Sequence, residues 1–322
     1  MKFLITGGAG FIGGHLTEAL LKRGDEVVIA DNFSTGSREN LFPVNGRSAV
    51  IHEMDVALEK ERLRELVKDA DVIFHLAAAV GVELVVNDPV RTIETNIDGS
   101  ANIIKLAAEY NKRLFIASTS EVYGKSAKEM FSEDDDLLIG SPLNSRWSYA
   151  CSKLMDEFYL MAYVRSAKLQ GTVVRFFNTV GPRQTGRYGM VVPRFVRNAL
   201  AGKTLQVYGD GGQSRCFCHV SDVVRALLML LEKPESVGKI YNIGSQHLVT
   251  IRELAEEVIR LTGSSSGIET VPYSVAYAEG FEDMRRRKPD TSKLNALTGW
   301  TPGKSLEEII CDVADFERGR IN

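Results

Sequence analysis

The chain has 322 residues, a formal net charge of −3 at pH 7 and 44% hydrophobic residues. This length suffices for a large core in one large or two medium domains, and the charge balance gives no reason to expect nucleic acid or an anionic membrane surface as a partner. A strand pattern begins at Lys2, leaving no room for a signal peptide, and no apolar run is long enough to span a bilayer, so a cytoplasmic protein is expected. Lys2 to Thr6 reads as a buried strand, followed by the turn Gly7-Gly8-Ala9-Gly10-Phe11-Ile12-Gly13, a helix to Arg23 and a strand from Glu26 to Asp31. Gly7 suits a tight turn, Gly10 a close backbone approach to a pyrophosphate, and Gly13 close packing of helix on strand, with phosphates at the helix N-terminus. The turn follows an apolar strand and opens a helix, so it reads as a dinucleotide fingerprint. Asp31 ends the next strand, where a carboxylate binds adenosine ribose hydroxyls and repels a 2′-phosphate, so NAD is expected rather than NADP.

Asn32 to Gly46 is loop-like and suited to the adenosine side, with Asn32 in the expected cofactor set. Ala49 to His52 is the next strand. Asp55, next to Val56, is placed either to accept from an adenine amino group or to cap the helix Glu59 to Lys68. Val72 to Leu76 is an apolar run typical of a buried parallel strand, and Leu76, Ala77 and Ala78 are small enough to let a cofactor approach. His75, alone beside that run, is read as a satisfied structural histidine. Pro89 to Tyr110 has helical period and carries Asn96, also assigned to the cofactor. Arg113 to Ser118 delivers Ser118, Thr119, Ser120 and Glu121 to the carboxyl edge of the sheet, where ligands of open α/β sheets bind. Trp147 opens a helix carrying Tyr149 and Lys153 on one face, and Thr172 to Phe176 is a further strand.

After Phe177 the pattern loosens into a loop to Gly189, helices at Met190 to Ala201, Val220 to Leu231, Ile251 to Thr262 and Ser305 to Glu317, and strands at Leu205 to Tyr208 and Lys239 to Ile243. A doubly wound parallel α/β sheet of Rossmann type follows, with a smaller C-terminal α/β substrate-binding domain. The expected division is 1–178 plus about 215–246 for the NAD-binding domain and 179–214 plus 247–322 for the other. No flexible linker separates them, so a rigid interface is expected. The four cysteines, Cys151, Cys216, Cys218 and Cys311, have no zinc or redox spacing, and no metal is expected. Cys151 is read as core packing.

A lysine ammonium beside a phenol favours the phenolate, making Tyr149 usable as a general base, and Thr119 or Ser120 can share a sugar hydroxyl with it. Together with the glycine turn, Asp31, Asp55, His75 to Ala78, Asn96 and Arg175-Phe176-Phe177-Asn178, these residues resemble the extended short-chain dehydrogenase/reductase family of nucleotide-sugar enzymes over essentially the whole chain. The resemblance implies tightly bound NAD, a nucleotide-sugar substrate oxidised at C4 to a 4-keto sugar, and a homodimer built from the helices Pro89 to Tyr110 and Trp147 to Lys168. Thr119-Ser120-Glu121 and Arg287-Lys288-Pro289-Asp290 resemble UDP-glucuronate decarboxylases in particular. Glu121 is then a second acid/base at the C5/C6 end of the sugar, or alternatively a positioning carboxylate.

By the same resemblance Asn178, Arg183, Val192, Tyr208, Arg215 and Arg287 bind the substrate, with Arg215 suited to its diphosphate. The sequence departs from the pattern at Gly81-Val82-Glu83-Leu84, where an ionised Glu83 facing the pocket would repel a glucuronate carboxylate. The alternatives are a UDP-sugar 4-epimerase, an NDP-sugar 4,6-dehydratase and, from another class, a non-catalytic NAD-binding sensor.

Overall fold

The chain opens as strand, helix, strand: β1 (Lys2–Thr6), α1 (Phe11–Arg23), β2 (Glu26–Asp31). It continues with β3 (Val50–Glu53), α2 (Lys60–Asp69), β4 (Val72–His75), α3 (Pro89–Glu109), β5 (Arg113–Thr119), α4 (Trp147–Ala167) and β6 (Gln170–Phe176). The second half holds β7 (Thr179–Val180), α5 (Val191–Leu200), β8 (Leu205–Tyr208), β9 (Ser214–Cys216), β10 (Cys218–His219) and α6 (Val220–Leu231). It ends with β11 (Lys239–Ile243), β12 (Leu248–Thr250), α7 (Ile251–Thr262), β13 (Ile268–Val271), β14 (Arg286–Arg287), α8 (Ser292–Thr298) and α9 (Leu306–Ile321). This computed structural model describes residues 1–44, 46–80, 88–185, 190–276, 282 and 284–321.

Seven strands form one parallel sheet in the order β11-β6-β5-β4-β1-β2-β3. The order reverses between β1 and β4, and the cleft of such sheets opens beyond the carboxyl ends of the strands at that reversal. Leu16 and Leu20 of α1 and Val223, Leu227 and Leu230 of α6 bury one face of the sheet. Leu63 and Val67 of α2, Ile103, Ile104 and Ala107 of α3, and Leu160 of α4 bury the other. This is why β1, β4 and β5 read as unbroken apolar runs: both of their faces are covered. A separate core joins α5, α7 and α9 through Val192, Phe195, Leu254, Val258, Ile309 and Val313.

β11 joins the main sheet beside β6 as a parallel strand. The segment after it departs from the expected division: Leu294 of α8 and Trp300 lie in the core of the large sheet, with the Trp300 indole N–H donating to the Asp222 carbonyl at 2.9 Å. Strand β3 starts one residue later than expected and α9 runs to Ile321. The short strands β7, β9, β10, β12, β13 and β14 escaped the sequence because two to four residues carry no periodicity. All four cysteines are free, Cys216 and Cys218 buried as small apolar side chains, while Cys151 is exposed, correcting its expected place in a core. No described helix is long and apolar enough to cross a membrane.

Arg175 on β6 is clamped to Glu157 on α4, Nη2 donating to Oε2 at 2.7 Å and Nε to Oε1 at 2.9 Å, with both residues buried. Its Nη1 also donates to the Tyr123 hydroxyl at 2.9 Å. Removing one partner of such a pair leaves an uncompensated buried charge. Glu157→Ala is therefore expected to cost about 3–5 kcal/mol, read as a fall in the urea midpoint at unchanged slope.

Candidate active site

A cavity of about 460 Å³ lies along the carboxyl edge of the sheet and runs from the β1–α1 turn to β8, β9 and β14. Gly7, Gly10, Phe11, Ile12 and Gly13 form one end of it, and backbone spacing forbids a side chain at Gly7 and Gly13. A Cβ on Gly7, whose φ is +71°, would come within 2.6 Å of the Ala77 nitrogen, and one on Gly13 within 2.3 Å of the Gly7 carbonyl oxygen. Asp31 sits beside the turn, accepting from the Ala9 N–H at 2.9 Å and the Phe33 N–H at 2.8 Å. Burial pushes its carboxyl upward against those two bonds. Asn32 donates to Asp55 at 2.9 Å, while the other Asp55 oxygen accepts from the Ala57 N–H; Glu59, not Asp55, occupies the helix N-cap. A crowded glycine cradle, a bonded carboxylate at the ribose end and the small residues Ala77 to Ala79 just after β4 fit a dinucleotide.

Every expected cofactor residue lines this cavity except Asn96. Asn96 is buried behind the wall, accepting from the Ala79 N–H at 2.7 Å and donating to the Ala79 carbonyl at 3.2 Å and to Ser152 at 3.2 Å. Its expected cofactor contact is thus corrected: it shapes the loop that faces the cofactor. His75 is satisfied as expected, with Nδ1 2.7 Å from the Thr6 hydroxyl and Nε2 3.1 Å from that of Ser100. Burial pushes it down to about 3, so the ring is neutral at pH 7.

At the middle of the cavity the end of β5 and the start of α4 bring Thr119, Ser120, Glu121, Tyr149 and Lys153 together. Thr119 acts to lower the pKa of the Tyr149 phenol. Contrary to the expected lowering by Lys153, the phenol is held above its ordinary range, first by burial and then by the charges of Glu121 and Asp156. The physical reason is visible in the pairing of Lys153, whose ammonium is bound by Asp156 at 2.7 Å. Glu121 is corrected as well. Its Oε2 accepts from Arg146 Nη1 at 2.8 Å, and its Oε1 accepts from Arg146 Nη2 at 3.0 Å and from Arg287 Nη1 at 3.2 Å. Burial opposes the charge, but the two guanidiniums prevail and hold the carboxyl below its usual range. At neutral pH it is therefore an ion without a proton to give.

Asn178, Val192, Tyr208, Arg215 and Arg287 line the far end as expected. Pairing of β9 with β14 sets Arg287 directly beside Arg215. Arg183, in contrast, does not line the cavity: it donates to Glu18 at 2.7 Å, to His15 Nδ1 at 2.6 Å and to the Asn40 carbonyl at 3.2 Å, fastening its loop to α1. Its expected substrate contact is corrected to that latch. Glu83 and Arg187 lie outside the described residues. Sequence reasoning passed over Arg146, Arg194, Phe217 and Tyr273, which also line the cavity. For Arg146 a signal existed, since a position three before Tyr149 shares its helix face; Arg194 stacks on Tyr208 at 4.1 Å, a contact between two elements that no local pattern reveals.

The family described as the NAD dependent epimerase/dehydratase family matches residues 3–244. The chain belongs to that family. It is accordingly an enzyme, and NAD is its cofactor. Among similar proteins, the UDP-N-acetyl-alpha-D-glucosaminuronate decarboxylase of Bacillus cytotoxicus is 45% identical over 321 residues, covering 98% of each chain. UDP-glucuronic acid decarboxylase 1 of Danio rerio is 36% identical over 307 residues, 95% of this chain and 70% of that protein. The crystal structure of UDP-glucose 4-epimerase from Thermotoga maritima, determined with UDP-glucose, matches with a TM-score of 0.90 at 31% identity over the full length of both chains.

Because a Cβ on Gly13 meets backbone rather than a movable side chain, Gly13→Ala must displace the turn that receives the pyrophosphate. NAD binding in this epimerase/dehydratase family member is expected to weaken by about tenfold or more, roughly 1.4 kcal/mol, with circular dichroism unchanged and affinity read by calorimetry.

Proposed function

We propose that this enzyme decarboxylates a UDP-linked hexuronate after oxidising it at C4, with UDP-glucuronate as the reference substrate. One observation carries the reading: the buried Arg287 guanidinium, fixed by Glu121 and paired in register with Arg215, supplies a rigid cationic end within the same cavity as Tyr149 and Thr119. A carboxylate and a diphosphate on one substrate match two such guanidiniums. The 45% identity to a decarboxylase of an N-acetylated hexuronate favours UDP-N-acetylglucosaminuronate as a second substrate to be tested beside it.

NAD, when bound, accepts a hydride from C4 and later returns it. Tyr149 takes the C4 hydroxyl proton, and Thr119, which acts on the phenol, aligns that hydroxyl. With C4 a ketone, the C6 carboxylate is β to it. The C5–C6 bond then breaks, its electron pair passing through C5 to the C4 oxygen as an enolate while carbon dioxide leaves. A proton taken up from water at C5 restores the ketone, and on its reduction Tyr149 returns its proton to the C4 oxygen. Tyr149, protonated after the first step, sits where the enolate oxygen gathers charge and can donate a hydrogen bond to it. Glu121 holds Arg287 in place and transfers no proton.

C4 epimerisation is the second reading, favoured by the match to the Thermotoga epimerase over its whole length. Mass spectrometry of products from UDP-glucuronate, UDP-N-acetylglucosaminuronate and UDP-glucose separates them: loss of 44 mass units, as carbon dioxide, is expected from a uronate, whereas unchanged mass with inverted C4 overturns the decarboxylase reading. Tyr149→Phe is expected to lower kcat by roughly 10²–10⁴-fold while NAD remains bound.

A homodimer through the outer faces of α3 and α4 belongs to the same proposal. Those helices pack on each other, yet Val90 (63% exposed), Met155 (50%) and Phe158 (62%) face outward, an apolar surface suited to a second copy. Phe158→Glu is expected to convert a dimer to a monomer in light-scattering chromatography.

A further inference from the structure

The ion pair between Lys153 and Asp156 is closed to solvent, each side chain being 2% exposed, and it lies in the wall of the cofactor cavity. A row of hydrogen bonds crosses from the sheet to Ser100, whose hydroxyl acts on Asp156. The Ala77 N–H donates to the Thr6 hydroxyl at 3.4 Å, and that hydroxyl lies 2.7 Å from His75 Nδ1. His75 Nε2 is 3.1 Å from the Ser100 hydroxyl, and Ser100 favours the charged form of the Asp156 carboxyl beyond it. With the neutral ring protonated on Nε2, the Ala77 N–H, the Thr6 hydroxyl and the ring each donate in the direction of Ser100. Four elements, β1, β4, α3 and α4, thus converge on a carboxylate that the proposed chemistry does not use.

We propose that Asp156 is a positioning residue that acts through Lys153, holding its ammonium in the cavity wall and so setting the pH range in which Tyr149 takes a proton. The inference rests on Tyr149 being the base. An ammonium neutralised by its own carboxylate stabilises a nearby phenolate less than a bare one does. With the carboxylate gone, the phenolate itself becomes a partner for the buried ammonium, and the active form of Tyr149 is reached at lower pH. Glu121 and Arg146 also face the phenol, His75 faces Lys153, and Glu157 faces Asp156. Among these, Asp156 is the group bonded directly to the ammonium.

The test is the pH dependence of kcat for the NAD-loaded enzyme, its Asp156→Asn and Asp156→Ser variants and Tyr149→Phe, assayed on UDP-glucuronate and UDP-N-acetylglucosaminuronate. Asp156→Asn keeps the size of the side chain, and melting temperature and NAD content are followed in parallel. The acid limb is expected to move down by about one pH unit in both Asp156 variants, an effect that a packing role alone does not produce. An unmoved or upward-moving limb in a folded, NAD-loaded variant overturns the proposal. Loss of fold in both variants also overturns it, since the carboxylate would then be a determinant of the fold. Turnover by Tyr149→Phe defeats the assignment of the base and the proposal with it. An inactive Tyr149→Phe beside an unmoved Asp156 limb defeats the proposal alone.

Discussion

The constraint on which the rest depends is the meeting of backbone with backbone at the first turn. Gly7 approaches the chain after β4 and Gly13 approaches Gly7 so closely that any Cβ would overlap main-chain atoms. Main chain cannot swing aside as a side chain can, so α1 is fixed against β1 and β4 at one spacing. That spacing opens the cleft at the point where strand order reverses. The small residues just after β4, the loop held by Asn96 and the carboxylate of Asp31 lie around that turn.

Around the middle of the cleft the structure manages buried charge pair by pair. Glu121 is held by Arg146 and Arg287, Glu157 by Arg175, and Asp156 by Lys153, all largely closed to water. Each buried carboxylate meets a guanidinium or ammonium partner at hydrogen-bond distance, which offsets the cost of burying its charge, and for Glu121 the two guanidiniums outweigh burial. The pattern changes what each group can do. An acid fixed between two arginines positions them and has no proton to transfer, and a lysine bound to an aspartate is a weaker promoter of the phenolate than its spacing from Tyr149 suggests. On the proposed function, the chemistry then falls to the phenol, to Thr119 and to NAD.

Much of this was legible in the chain itself. The glycine turn, Asp31, the apolar strands and the positions of Thr119, Tyr149 and Lys153 are local features: each depends on a few neighbouring residues and on the 2.0 or 3.6 periodicity of one element. Local pattern therefore determined the Rossmann sheet, the cofactor end of the cleft and the catalytic face of α4. Tertiary structure alone decided which charge meets which. Arg146 reaches back to Glu121 across 25 residues, Arg287 across 166, and Arg183 turns away to α1 across 165. A pairing over such separations leaves no periodic trace, because it is fixed by where whole elements stack and not by the sequence around either partner. For that reason the residue types at the site could be read from the sequence, while the protonation states that set their roles had to wait for the fold.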